Sequence, residues 1–296
     1  LLREKLQAWG AEVELSEVRP GRPNLIAHWS GRDSSRALML EAHADTVPGD
    51  GMSVQPFEPK VEDGRLYGRG ACDTKGAMAA MLLAVRAVVG QEGELPTDLY
   101  FVSTCDEEHG ASGARKLAAD GFRVDAAIVG EPTALNITWV HKGAVRWRLR
   151  TKGKAAHSSM PHLGVNAIYS MAAAIERIRG PVSERLHGIS HPELGRPTIC
   201  VGTIHGGTQN NVVPAECVIE IDRRMMPFED RKALQSELSK ELEGIADTVP
   251  DFDFELEEYE YYPPFERSQD DPLMLAMTRA CSKHIGRADF NSAPFC

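Results

Sequence analysis

Nowhere in this 296-residue sequence do roughly 18 apolar side chains follow one another, so no stretch is suited to cross a membrane as a helix. Basic residues are in the minority. The 33 Lys and Arg stand against 43 Asp and Glu, and the net charge of -10 disfavours a general affinity for nucleic acid or anionic membrane, which needs excess cations. The six cysteines form no C-x-x-C pair and are too sparse for a secreted disulfide scaffold, so reduced, mostly buried thiols are expected. No repeat, no low-complexity tract and no charged-then-apolar leader is present. These absences lead to an expectation of a cytoplasmic globular protein with neither nucleic acid nor membrane as partner.

What is present suits a folded chain of two domains: 42% hydrophobic and 26% charged residues over a length that buries a large core. LLREKLQAW, closed by Gly10, reads as a helix already under way at the first residue, and the loop-like NSAPF precedes Cys296, so both ends look cut. Up to about residue 134, the strand-like runs NLIAHW, ALMLEAH, LYFVSTC and AAIVGEP alternate with helix-like runs, the pattern of a largely parallel sheet covered by helices. KGAMAAMLLAVRAVV, ended by Gly90, reads as a buried helix with its stop signal. From about residue 135 the period changes, with Val145, Trp147 and Leu149 alternating with Arg146, Arg148 and Arg150, as in a strand with one wet face. A helix with Ile168, Met171, Ile175 and Ile178 at helical spacing follows, then TICVGTI, ECVIEID, a second helix with Leu234, Leu238, Leu242 and Ile245, and FDFELE. That β-α-β-β-α-β order is the split βαβ pattern of a ferredoxin-like domain. The expected organisation is therefore a first domain over residues 1–134, an inserted domain over 135–262, and a return to the first domain over 263–296.

Three strand-like runs of the first domain end in His or acid: His43 and Asp45, then Asp106 to Glu108, then Glu131. Open α/β sheets carry their sites at that edge. Each feature alone has a bland reading. His43-Ala44-Asp45 is a short loop, Asp73 in GRGACDTKGAM an N-cap of the next helix, Asp106-Glu107-Glu108 a solvated acidic loop, and Glu131 a loop acid before a Pro. Together these bland readings weaken, because adjacent carboxylates repel unless cations or protons relieve them. Carboxylates with imidazole suit zinc, cobalt or manganese, and two such ions polarise a carbonyl and acidify water, which amide hydrolysis requires.

In order, LEAHADTVP, GRGACDTKGAMAAML, TCDEEHGASGA, GEPT, KGKAAHSSMPHLGVNAI and NNVVPAECVIEIDRRMMP resemble the successive signatures of one family over nearly the whole chain. It is the family of acetylornithine deacetylase, succinyl-diaminopimelate desuccinylase, aminoacylase and glutamate carboxypeptidase. The resemblance implies a zinc-peptidase-like α/β fold, a mixed sheet with helices on both faces, with an inserted ferredoxin-like lid and dimerisation domain. It implies two divalent ions, zinc with cobalt or manganese as alternatives. His43 and Glu131 would be metal ligands, Asp73 would bridge both ions and Glu108 would complete the second. Asp45 would orient His43, and Glu107 would be the general base. His157 would stabilise the oxyanion from the partner subunit of a homodimer, its bland reading being a surface His in a polar loop. Asn211 and Arg224 would hold the substrate carboxylate or line its cleft, the alternative for Arg224 being a sheet-edge pair with Asp222.

The family also supplies a late His ligand from a segment this sequence does not contain, and His284 sits in a helix-like run before the expected position. A fragment of a longer enzyme is therefore expected. GTIHGG and NSAPF look most like the acetylornithine deacetylase branch, so an N-acyl amino acid is the expected substrate, with a short peptide as the alternative. The rivals are a non-catalytic, dimerising binding protein and a thiol enzyme using Cys105 with His109.

Overall fold

The computed structural model describes residues 1–91 and 94–293; Cys296 and the end of NSAPF lie outside the described residues. Among the described residues no helix is long and apolar enough to cross a membrane. The chain divides into two compact units, Leu1–Leu135 and Asn136–Cys296.

The first unit contains α1 (Leu2–Ala8), β1 (Glu12–Arg19), β2 (Arg22–Trp29), β3 (Gly31–Glu41), β4 (Lys60–Glu62), β5 (Arg65–Tyr67), α2 (Lys75–Val89), β6 (Leu95–Ser103), α3 (Ser112–Ala119) and β7 (Ala126–Val129). Its sheet has the order β1-β2-β6-β3-β7. β3 lies parallel to β6 and β7, as the alternation of strands and helices predicts, while β1, β2 and β6 pair antiparallel, so the sheet is mixed. The hairpin turn between β1 and β2 needs a left-handed residue, and Gly21 supplies it at φ +73. Leu6, Ala27 and Phe101 are fully buried at the centre of the core, where Phe101 alone contributes about 1.5–3 kcal/mol of apolar burial. The helix expected to be buried, α2, ends at Gly90 as read, but its buried residues are only Met78 and Val85. Leu83 and Val88 are exposed.

The second unit contains β8 (Ile137–His141), β9 (Gly143–Lys152), α4 (Ala167–Arg177), α5 (Ser183–Leu186), β10 (Thr198–Gly206), β11 (Glu216–Met225), α6 (Arg231–Glu243), β12 (Asp253–Tyr262), β13 (Phe265–Glu266), α7 (Pro272–Ile285) and β14 (Phe290–Ala293). β9, α4, β10, β11, α6 and β12 follow the split βαβ order, in an antiparallel sheet arranged β10-β11-β9-β12. Val145, Trp147, Leu149, Cys217, Ile219 and Ile221 fill one face of that sheet and pack with Leu238, Leu242 and Ile245. On the other face Arg146 and Arg148 pair with Asp222, Glu220 and Glu260 across the strands, which is how a wet sheet face carries so many arginines. Residues 263–296 were expected to rejoin the first domain. Here β13 and β14 pair with β8, in a separate three-stranded sheet grouped with the second unit.

All five described cysteines are free, but only Cys105 and Cys217 are buried; Cys72 and Cys200 are exposed, which corrects the expectation of mostly buried thiols.

Candidate metal centre

Because β3, β6 and β7 are parallel neighbours, Glu41 aligns with Val102 and Val129, and their C-terminal ends open on one edge. The ladder continues past β3. Ala42 N–H donates to the Val102 carbonyl and Ala44 N–H to that of Thr104, so the residue between them, His43, is fixed in the backbone and only 1% exposed. Its neighbour across the other side is the Gly130 amide, which donates to the Glu41 carbonyl and delivers Glu131 to the same edge.

Asp73 comes from the segment before α2. The N-cap of that helix is Thr74, without a side-chain cap, and the Thr74 hydroxyl instead donates to the Gly130 carbonyl at 2.5 Å. The Asp73 carboxylate is thus free of the capping task and lies 2.9 Å from His43 Nε2. Glu131 Oε1 lies 3.9 Å from the same nitrogen. Ligand atoms of His43, Asp73 and Glu131 fall within 4.8 Å of one another, and so do those of His43, Glu107 and Glu108. Donors around a tetrahedral zinc, each at about 2.0–2.2 Å, are themselves roughly 3.3–3.6 Å apart, so the distances of 2.9 and 3.9 Å bracket what one ion requires. Imidazole with carboxylates is also the donor chemistry of zinc, cobalt and manganese. The residues fit the ion.

Asp45 serves two neighbours. Its backbone carbonyl is 3.0 Å from His43 Nδ1 and its carboxylate 3.6 Å away, which sets the imidazole with Nε2 toward Asp73. The same carboxylate accepts the backbone N–H groups of Glu107 and Glu108 at 3.1 and 3.2 Å, pinning the short 3-10 turn Glu107–His109. Glu108 in turn accepts the Val47 amide. Asp106, read beside them as one acid of a cluster, turns the other way. It is 1% exposed and paired with Arg22, Arg19 and Ser112, and the Arg22 hydrogen bond holds its carboxyl below the ordinary carboxylate range.

Electrostatic stress is visible in the remaining acids. Burial, reinforced by Glu107, Asp73 and Glu41 against the relief from His43, pushes Glu131 up to about 7. Glu107 is also raised, first by burial and then by Glu108, Asp45 and Asp73. For His43 burial acts downward, but the Asp73 hydrogen bond and the charges of Glu131, Glu107 and Asp45 prevail and raise it. Glu41, raised by burial and bonded to the Thr104 hydroxyl, belongs to this environment and was not picked out from the sequence. Its position two residues before His43 on a strand was the available signal.

All four raised groups, Glu131, Glu107, His43 and Glu41, change stability in the same sense. A pKa raised by folding contributes stability that is present at low pH and lost as pH climbs through the folded value. Chelator-treated protein is therefore expected to lose thermal stability as pH rises from about 4.5 to about 7, the interval between the ordinary and the folded value of Glu131, and added zinc to reverse the trend. Glu131→Gln should flatten the slope in a pH series of melting temperatures; an unchanged slope would count against this electrostatic account.

Three expected site residues lie in the second unit. His157, exposed, has its Nδ1 against the Ser159 hydroxyl at 2.7 Å and accepts the Ser159 amide at 3.2 Å. It is bridged to Val212, and the Ser158 amide donates to the Asn211 carbonyl, so the structure brings His157 and Asn211 together. Arg224 donates to Asp222 at 2.8 Å, the pairing held as the alternative, though on β11, an interior strand. His284 lies in the last turn of α7. The thiol rival loses ground, because burial raises the Cys105 thiol, whose hydrogen goes to the Arg22 carbonyl, whereas a nucleophilic cysteine needs a lowered one.

A mixed α/β sheet whose C-terminal edge gathers an imidazole and four carboxylates, followed by a ferredoxin-like unit, defines a two-unit metallohydrolase. The chain belongs to Peptidase family M20/M25/M40, whose model matches residues 39–295. It is 33% identical to an acetylornithine deacetylase of Vibrio campbellii over 99% of this chain and 79% of that protein. Among solved structures it is similar to aminopeptidase PepT from Bacillus cereus, with a TM-score of 0.78 and 25% identity over 100% of this chain and 77% of the other. The YXEP protein of Bacillus subtilis, described as a dinuclear metal-binding peptidase of family M20, shares the fold at a TM-score of 0.68 and 21% identity, covering 98% and 75% of the two chains.

Proposed function

We propose that this chain hydrolyses the amide bond of an N-acyl amino acid, in the manner of an acetylornithine deacetylase, with two divalent ions, zinc first and cobalt or manganese as alternatives. The observation that carries the reading is the convergence of His43, Asp73, Glu107, Glu108 and Glu131 at one sheet edge with metal-ligand spacing. Substrate preference rests on the 33% identity to the Vibrio campbellii deacetylase.

In this reading His43, Asp73 and Glu131 would hold one divalent ion, and Asp73 with Glu108 would help hold a second. Divalent ions so placed polarise a carbonyl and acidify water. Glu107 takes a proton from the attacking water and returns it to the leaving amine nitrogen, and its raised pKa suits both transfers. Asp45 keeps His43 in the orientation that presents Nε2. His157 accepts the Ser159 amide at Nδ1, so its proton sits on Nε2, ready to donate to the oxyanion. That donor comes from a second copy of the chain, a homodimer formed through the second unit, whose edge strand β10 and helix α4 leave Ile204, Ile168 and Tyr169 exposed. Asn211 and Arg224 contact the substrate carboxylate or line its cleft. A cytoplasmic location accords with the free thiols of all five described cysteines.

A peptidase is the second reading, supported by the similarity to aminopeptidase PepT. Turnover of N-acetylornithine, N-succinyl-diaminopimelate and a set of dipeptides and tripeptides, each with zinc or cobalt, separates the two. The deacetylase reading predicts the highest kcat/KM on N-acetylornithine; a preference for peptides by about tenfold or more would replace it with the peptidase.

A further inference from the structure

The antiparallel ladder of β2 with β6 runs from the pair Trp29 and Leu99 to the pair Leu25 and Ser103, and there it stops. Beyond it β2 keeps hold of the neighbouring chain by side chains. Asn24, fully buried, accepts the Cys105 amide at 3.1 Å and donates to the Gly113 carbonyl at 2.9 Å. The Cys105 thiol donates to the Arg22 carbonyl. The Arg22 guanidinium closes on the Asp106 carboxylate, and Arg19, opposite Arg22 at the end of the hairpin, approaches the other carboxylate oxygen at 3.4 Å. The packing is tight, since a Cβ added at Gly113 would lie 2.5 Å from Asn24 Oδ1 and from the Cys105 carbonyl.

What is held is the residue next to Glu107. Asp106 has a left-handed backbone, φ +56, an unfavourable region for a residue other than Gly that persists where surroundings impose it. The next two amides reach the Asp45 carboxylate. The turn bearing Glu107 and Glu108 is therefore fixed from two sides, by Asp45 within the site and by the Arg22 and Asn24 end of β2 outside it.

We propose that Arg22 is a positioning residue: through Asp106 it sets the turn that aims Glu107 and Glu108, without touching substrate or metal. The inference rests on the reading of Glu107 as general base. It also assigns the polarity of Asp106, the one acid of the run whose charge is met by arginines and so kept from adding to the repulsion at the sheet edge.

The Arg22 side chain is more than half exposed, so Arg22→Met leaves the core intact. Hydrogen exchange of the amides of residues 104–109 in chelator-treated Arg22→Met protein should quicken by about tenfold while those of β2 and β6 keep their protection. On the substrate turned over fastest, kcat should drop by about tenfold with KM within about twofold, and Arg22→Lys should restore most of it. Exchange and kcat both within about twofold of the unaltered protein would overturn the proposal. So would quickened exchange spread equally over β1, β2 and β6 with a matching fall in melting temperature, or quickened local exchange with unaltered kcat. Glu107→Gln in the same assay separates the two ideas: retained turnover there defeats the base assignment, whereas the exchange result judges the clamp independently of any reaction.

Discussion

Glu107→Ala is expected to lower kcat by about 10³-fold, roughly 4 kcal/mol in the barrier, while the protein keeps its zinc or cobalt. Both parts of that result follow from where Glu107 stands. Its carboxylate lies within 4.8 Å of ligand atoms of His43 and Glu108, so in the proposed reading it can reach a water held there. Burial and the acids Glu108, Asp45 and Asp73 keep its proton affinity above that of a solvated glutamate, which a group that must take and later return a proton requires. The proposed ligands His43, Asp73, Glu131 and Glu108 do not include it, so its loss is expected to spare metal retention. Loss of metal in parallel with turnover would make Glu107 a ligand rather than the base, and near-normal turnover would remove it from the chemistry. Metal analysis beside steady-state kinetics on one preparation decides among these.

Asp73→Ala should have the broader effect, abolishing turnover and ion retention together. Asp73 is the carboxylate nearest His43 Nε2, and in the proposed arrangement it alone contacts both ions. An ion held at about 100 times its Kd stabilises a folded protein by about 2.7 kcal/mol, so the zinc-dependent rise in melting temperature should vanish in the variant. The comparison is direct, because the side chain is half exposed and not part of the core. A variant that still gains stability from zinc would show that Asp73 does not bridge, and its carboxylate would then need another account.

Much of the architecture could be read from local patterns. The end of α2 at Gly90, the alternation in β9 and the β-α-β-β-α-β order of the second unit are properties of neighbouring residues, and periodicity reports them. The placement of acids at strand ends was legible for the same reason, once parallel strands were assumed. What was missed depends on pairing across long stretches of chain. That β2 runs antiparallel to β6 decides that Arg22 meets Asp106, 84 residues away, and nothing local to either residue announces it. Asp106 was grouped with Glu107 and Glu108 because they are adjacent, yet its left-handed backbone sends its side chain to the arginines. Of the apolar residues read at helical spacing around α4, Met171 and Ile178 are buried and Ile175 packs against the core. Only Ile168 lies exposed, and Ala167, Ser170 and Ala174 complete the buried face, which the spacing of large apolar residues alone did not report.

Anomalous diffraction at the zinc edge, from crystals of the zinc-loaded protein, tests the central claim most directly. A strong peak about 2.0–2.2 Å from His43 Nε2 and from carboxylate oxygens of Asp73 and Glu131, with a second peak between Asp73 and Glu108, is the predicted result. Zinc bound only elsewhere, with these side chains facing one another across water, would contradict it.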